Sequence, residues 1–342
     1  MRHSRNAIVF KRKVRSMRQS FLAATFILAL FTLTGCDISG PERQRWDLAA
    51  DGATTFSLSR DGRFALFYSV QQGIVLWDLQ QNKKLADLGS QDPHHTTVTN
   101  SEISDNQRFA ITVTAQNFAV WDLAWSQAQG LWSVSDGIIR DVAIANDGKQ
   151  ILLALSNGKA LYVDLGNGRR LEFLAHREKV NAVALSPNGR YALSGGDDNQ
   201  AYFWDTVSGQ ILYRFEHPTR VNQVALQRDG KLAFTADSGN QAFVWDLSDG
   251  HQQAALAIRL RQQNFSSARF SDDGRYLATG SPSKRVELWH TATGERAAYW
   301  QAATQENERP GSAVVYDVAI TPEGDVRSGS SAGIAQDWYL TD

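Results

Sequence analysis

A single cysteine in 342 residues excludes a disulfide framework and any metal centre built from several thiolates. Proline is scarce at 7 and glycine moderate at 26, so the chain is neither collagen-like nor a Pro/Gly-rich disordered segment. No apolar run approaches the ~20 residues that a spanning helix needs; Phe21–Leu33 has 13. A G-x-S-x-G elbow, a phosphate-binding loop, an H-E-x-x-H pair and an EF-hand loop are all missing. The net charge of −1 hides an asymmetry. Residues 1–35 hold seven Lys/Arg and no acid, which leaves 28 basic against 36 acidic residues, a net of −8, for the rest. A domain of that sign lacks the positive field that supplies most affinity for nucleic acid, so no such partner is expected. What remains is globular composition, 42 % hydrophobic and 10 % aromatic. That suits one large all-β domain or two conventional ones.

The basic stretch Arg2–Arg18, the apolar run Phe21–Leu33 and Leu33-Thr34-Gly35-Cys36 follow one another in the order of a secretory signal. The last four residues resemble the lipobox of bacterial lipoproteins; a short buried helix with an incidental cysteine is the alternative. The resemblance implies a signal peptide over 1–35, with Met17 an alternative start, lipid on Cys36 and a tether over 36–42. Multiple acylation gives stable membrane anchoring. Asp37 resembles the signal that retains lipoproteins at the periplasmic face of the inner membrane, with the outer membrane as the alternative. A lipidated Cys36 leaves the mature domain without a thiol, which suits an oxidising compartment. The seven tether residues reach at most ~25 Å.

Internal repeats decide the fold class. A Trp-Asp-like ending recurs at Trp77-Asp78, Trp121-Asp122, Val163-Asp164, Trp204-Asp205, Trp245-Asp246, Trp289-His290 and Trp338-Tyr339, at intervals of 44, 42, 41, 41, 44 and 49 residues. Turn sequences run in step: SRDGR at 59–63, SDNQR at 104–108, ANDGK at 145–149, SPNGR at 186–190, QRDGK at 227–231, SDDGR at 271–275 and TPEGD at 321–325. From the turn glycine (Gln107 in the second copy) to the Trp position is 14 or 15 residues in every copy. In the fourth copy, 180–186, 190–196, 200–205 and 210–215 read as strands separated by turn residues. Four short strands per repeat predict an all-β, seven-bladed β-propeller of four-stranded antiparallel blades. The last copy stops after its third strand, and QRWDLAA at 44–50 is spaced like an orphaned fourth strand. Residues 44–50 are expected to pair with the C-terminal blade and close the ring, which spares an open sheet edge.

These repeats resemble the WD40 family over roughly 43–342, most sharply where His176 lies 28 residues before Trp204 and His217 lies 28 before Trp245. The resemblance implies a structural hydrogen-bond network of His176, Ser194, Asp198 and Trp204 in the fourth copy. In the fifth it implies His217, Thr235 and Trp245, with Gly239 where the acid belongs. It also implies a non-enzymatic interaction platform that uses the loops joining one blade to the next. On this chain those loops nominate Arg140, Arg177, Lys179, Arg220, Asn264 and Tyr316 as partner contacts, each with a solvated loop residue as its alternative. Trp125 is expected to pack against a neighbouring blade, with an exposed aromatic as the alternative. Two lengthened loops, 90–97 and 302–314, are candidate protrusions. His94-His95 have no partner at ligand spacing, so neither a metal nor a cofactor is expected. Asp197-Asp198 read as turn formers.

The function that follows is a membrane-anchored periplasmic scaffold, monomeric by itself, which binds another envelope protein and performs no chemistry. Two further readings stand beside it. One is a propeller enzyme of hydrolase, lyase or quinone-dependent type, which carboxylates or histidines converging on the central channel would favour. The other is a lipoprotein accessory factor in outer-membrane protein assembly, against which Asp37 argues.

Overall fold

The computed structural model describes residues 40–88, 97–261, 263–305, 311 and 313–339; residues 1–35, Cys36, Asp37, His94, His95 and most of the first lengthened loop, 90–97, lie outside the described residues. Among the described residues, 28 strands form seven four-stranded antiparallel sheets. Each repeat becomes one blade because its turn and its Trp-Asp ending are tied together. In blade one Gly62 takes φ +72°, Ser59 Oγ donates to Asp61 Oδ1 (2.6 Å), and the Phe64 N–H donates back to Ser59 Oγ (2.8 Å). Arg63, directly after that glycine, reaches Asp78 of the ending (2.8 Å), and Arg108–Asp122 and Arg190–Asp205 repeat the pair. The near-constant turn-to-Trp spacing follows, since the second and third strands must match in length for these ends to meet. In blade two Gln107 adopts the left-handed conformation that glycine takes in the other turns (φ 64°).

The core lies between blades. Second strands such as Phe109–Val113 and Leu232–Asp237 are buried throughout, because a neighbouring blade covers each face. Outermost strands such as Lys83–Asp87 are largely exposed. The tryptophan of an ending packs back onto the outermost strand of the preceding blade. Trp204 stacks on Phe173 at 4.4 Å, Trp245 on Phe215 at 4.3 Å and Trp338 on Trp300 at 6.2 Å.

The seventh blade takes its outermost strand from the other end of the chain. Glu42–Asp47 pairs antiparallel with Ile334–Trp338, Glu42 opposite Trp338 and Asp47 opposite Ile334. The paired segment begins two residues before the expected 44–50, where Arg43 reaches Asp325 (2.6 Å), and ends at Asp47. There the N–H groups of Leu48 and Ala49 both donate to Gly333 O (2.9 and 3.1 Å) as the chain crosses to blade one. Innermost strands of adjacent blades touch all the way round, enclosing a central channel. Its two ends define two faces: a turn face, made by the turns between first and second strands, and a mouth face, made by the loops that join blades.

Candidate functional site

On the mouth face of blade four, a polar chain runs from the core to the surface. Trp204 Nε1 donates to Ser194 Oγ (3.3 Å), Ser194 Oγ lies 2.9 Å from His176 Nε2, and His176 Nδ1 lies 3.0 Å from Asp198 Oδ1. A neutral ring with its proton on Nδ1 satisfies all three contacts. Burial opposes ionisation of Asp198, but the bonds from His176 and from the Arg177 N–H (3.1 Å) outweigh it and hold the carboxyl below its ordinary range. Blade five builds the same chain with a different acid. Trp245 Nε1 donates to Thr235 Oγ1 (2.8 Å), which lies 2.7 Å from His217 Nε2, while His217 Nδ1 faces Asp237 Oδ2 at 3.4 Å, long for a hydrogen bond. Burial pulls the His217 pKa below its ordinary value against the opposing charge of Asp237. These groups fasten blade to loop.

The nominated contacts fall around the mouth. Arg140, Arg177, Lys179, Arg220 and Asn264 are exposed, whereas Tyr316 is half-buried in the channel wall, where burial raises its pKa. Arg140 and Tyr316 share the channel entrance with Thr99, Asn181, Asn222 and Ser266, and Asn222 Nδ2 donates to Asn264 Oδ1 (3.4 Å). Of the second lengthened loop, Gln305 Nε2 donates to Ala332 O (2.7 Å), while 306–310 and 312 lie outside the described residues. Trp125 does not pack against a neighbouring blade. It is 71 % exposed on the turn face, in a turn that projects past the strand ends, with Ser126 at φ 53°.

The channel forms a cavity of about 410 Å³. At one register position the innermost strands carry Ser57, Ala143, Ala184, Ala225 and Ala319, but Glu102 in blade two and Arg269 in blade six. Two steps towards the mouth lie Asp141 and Asp317. Both tie blades together: Asp141 Oδ2 accepts from the Val183 N–H (2.9 Å) and Oδ1 from Asn100 Nδ2 (2.7 Å), while Asp317 Oδ2 accepts from the Leu58 N–H (2.8 Å) and Arg269 Nη2 (2.8 Å). Withdrawal from bulk water lifts the Asp141 pKa to about 6 against those donors. It lifts that of Glu102 well above the usual range, Asp141 adding repulsion and Arg269 opposing. At the turn face the channel is crossed by Arg60, Asp105, Arg228 and Asp272, from blades one, two, five and six. Arg60 pairs with Asp105 (2.6 Å) and Asp272, and Arg228 with the same two acids (3.3 and 3.6 Å).

Residues 168–205 and 256–290 match the WD40 family model, described as "WD domain, G-beta repeat". The first match begins at the turn entering the outermost strand of one blade and ends in the third strand of the next, the unit that the Trp204–Phe173 stack holds together. The chain is a WD40-repeat β-propeller. No curated protein matches it. WD40 propellers serve in general as interaction scaffolds, and in this one the rigid ring and its mouth loops are the parts suited to that use. Sequence reasoning missed the role of Asp237, the channel carboxylates and the four-residue crossing. Glu102 and Arg269 carried a usable signal, two opposite charges at a position where the other five repeats are Ser or Ala.

Proposed function

We propose that this WD40 propeller is a non-catalytic, monomeric scaffold, anchored through Cys36 at the periplasmic face of the inner membrane, which binds another envelope protein. The mouth face carries the reading: Arg177, Lys179, Arg220 and Asn264 are exposed on loops, and Arg140 at the start of the strand Ile139–Ile144, all held in place by a closed ring. Loops already ordered before binding lose little entropy on docking, and arginine is a favoured interface anchor. The LTGC sequence at 33–36 and Asp37 support the anchor and its location. Crosslinking followed by affinity purification of the acylated protein from cell envelopes is expected to recover a partner in stoichiometric amount. Cys36→Ser is expected to release the protein from membranes, and Asp37→Ser to shift it to the outer-membrane fraction. Recovery of the propeller alone under several mild crosslinkers would overturn the scaffold.

A second reading, chemistry in the channel, is favoured by Glu102, whose carboxyl keeps its proton to unusually high pH. Against it, Asp141 and Asp317 are spent on blade-to-blade bonds. Partner recovery that survives Glu102→Gln would separate the channel from the scaffold role.

A further inference from the structure

Six cations stand on the mouth face without a carboxylate partner. Arg140, Arg177, Lys179, Arg220, Arg259 and Arg261 are exposed and make no ion pair among the described residues. They lie on the loops leading into blades four, five and six and, for Arg140, at the start of the first strand of blade three, and so form one arc around the channel mouth. Glu178 is the one free acid on those loops, since Asp136 is held by Lys159 (2.9 Å). The arginines in and beside the turns between first and second strands are arranged differently: Arg60, Arg63, Arg108, Arg190, Arg228 and Arg275 are each paired with an aspartate, and the exposed cations left without an ion pair among the described residues at that face, Lys83, Lys149, Arg170 and Lys231, are spread over four positions around it. In a domain with a net charge of −8, six exposed cations with one free acid among them thus share one arc. Exposed apolar side chains stand on the same loops: Ile138, Leu174, and Leu260 between Arg259 and Arg261 in sequence.

The start of the closing strand fixes which face the anchor leaves. Glu42 lies opposite Trp338, and Arg43 pairs with Asp325 in the turn of blade seven, so the chain enters the propeller at the turn face. Strands of five or six residues separate the two faces by about 20 Å, more than two Debye lengths at physiological salt. A tether of at most ~25 Å would have to be almost fully stretched to bring the mouth face to the same membrane. Headgroups of that membrane are therefore poor occupants of the arc.

We propose that the arc docks an acidic segment of the partner protein that carries interspersed apolar residues, on the side of the propeller away from its own membrane. The proposal rests on the scaffold reading above and adds the chemistry of the partner and the face used. The test uses the full-length acylated protein in nanodiscs of zwitterionic lipid, with a labelled Glu/Leu peptide as probe and a Lys/Leu peptide as control, followed by fluorescence anisotropy. The Glu/Leu peptide is expected to bind at least tenfold more tightly, less so as salt rises. The triple variant R177E/K179E/R220E is expected to abolish the preference, and K149E/K231E, the same kind of charge change on the turn face, to leave it intact. Equal binding of the two peptides, or a preference that survives the triple reversal, overturns the proposal. So does recruitment of added phosphatidylglycerol vesicles by the wild type and not by the triple variant, which would make the arc a lipid-binding surface. If the envelope partner is still recovered by the triple variant, the arc is wrong and the scaffold stands; if the wild type recovers none, the scaffold itself fails.

Discussion

Ser194 serves two buried groups at once, accepting from Trp204 Nε1 and meeting His176 Nε2, and it is itself fully buried. Ser194→Ala strands both, at a cost of about 1–3 kcal/mol, whereas Ser194→Thr is expected to be nearly neutral, because blades five and six use Thr235 and Thr279 for the same bond. Urea unfolding of the two variants decides it, and equal stabilities would remove the network from the stabilising groups. Asp141 gives a pH dependence of defined sign. Its pKa is raised to about 6 from an ordinary 3.8, so between those values the folded state binds more protons than the unfolded one. Its contribution to stability therefore falls as pH rises through that window. Asp141→Asn is expected to gain on the wild type by roughly 1–3 kcal/mol between pH 4 and pH 7, read from urea midpoints at stepped pH; a constant difference would refute the shift. The histidines and tryptophans of the network were legible because the repeat fixes their spacing. Asp237 was not: it lies two residues before Gly239, the position where spacing led one to look for the acid, and only the folded loop brings it to His217.

Among the elements, the closing strand has the most to lose. Trp46 is buried against blade one, in the cluster with Leu48, Phe56 and Ala335, and Arg327 lies over its ring at 5.4 Å. Trp46→Ala removes that contact where the two ends of the chain meet, and a loss of about 3–5 kcal/mol is expected. Denaturant unfolding measures it, with Trp125→Ala, on an exposed side chain, as the reference that should change little. A loss for Trp46→Ala below about 1 kcal/mol would mean that the ring does not depend on its seam. Strands were legible nearly to the residue: the fourth blade's segments at 180–186, 190–196, 200–205 and 210–215 appear as Val180–Leu185, Tyr191–Gly196, Gln200–Asp205 and Ile211–Glu216. Period-two burial and turn chemistry are local, so they leave a local trace. The interior of the channel leaves less, because a side chain there meets residues of two or three other blades, as Glu102 meets Asp141, Arg269 and Asp317. No single repeat encodes that meeting.

At the scale of the whole molecule, closure makes the two faces unequal. The turn face receives the start of the closing strand and is crossed by Arg60, Asp105, Arg228 and Asp272, while the mouth face carries the arc of six cations. If Cys36 holds lipid, the short tether turns this inequality into an orientation, with the turn face towards the membrane. The chain has no other cysteine, so a fluorophore can be placed singly on the lipidated protein. Lys231→Cys marks the turn face and Leu260→Cys the mouth face, and both positions are exposed. Energy transfer to an acceptor dye in the nanodisc headgroups is expected to be stronger from position 231. The faces differ by about 20 Å in depth, a range over which transfer efficiency changes steeply. Cys36→Ser in either background should reduce both signals to the level of untethered protein. Equal transfer from the two positions would show a propeller that tumbles freely on its tether, and stronger transfer from 260 would place the cationic arc on the membrane.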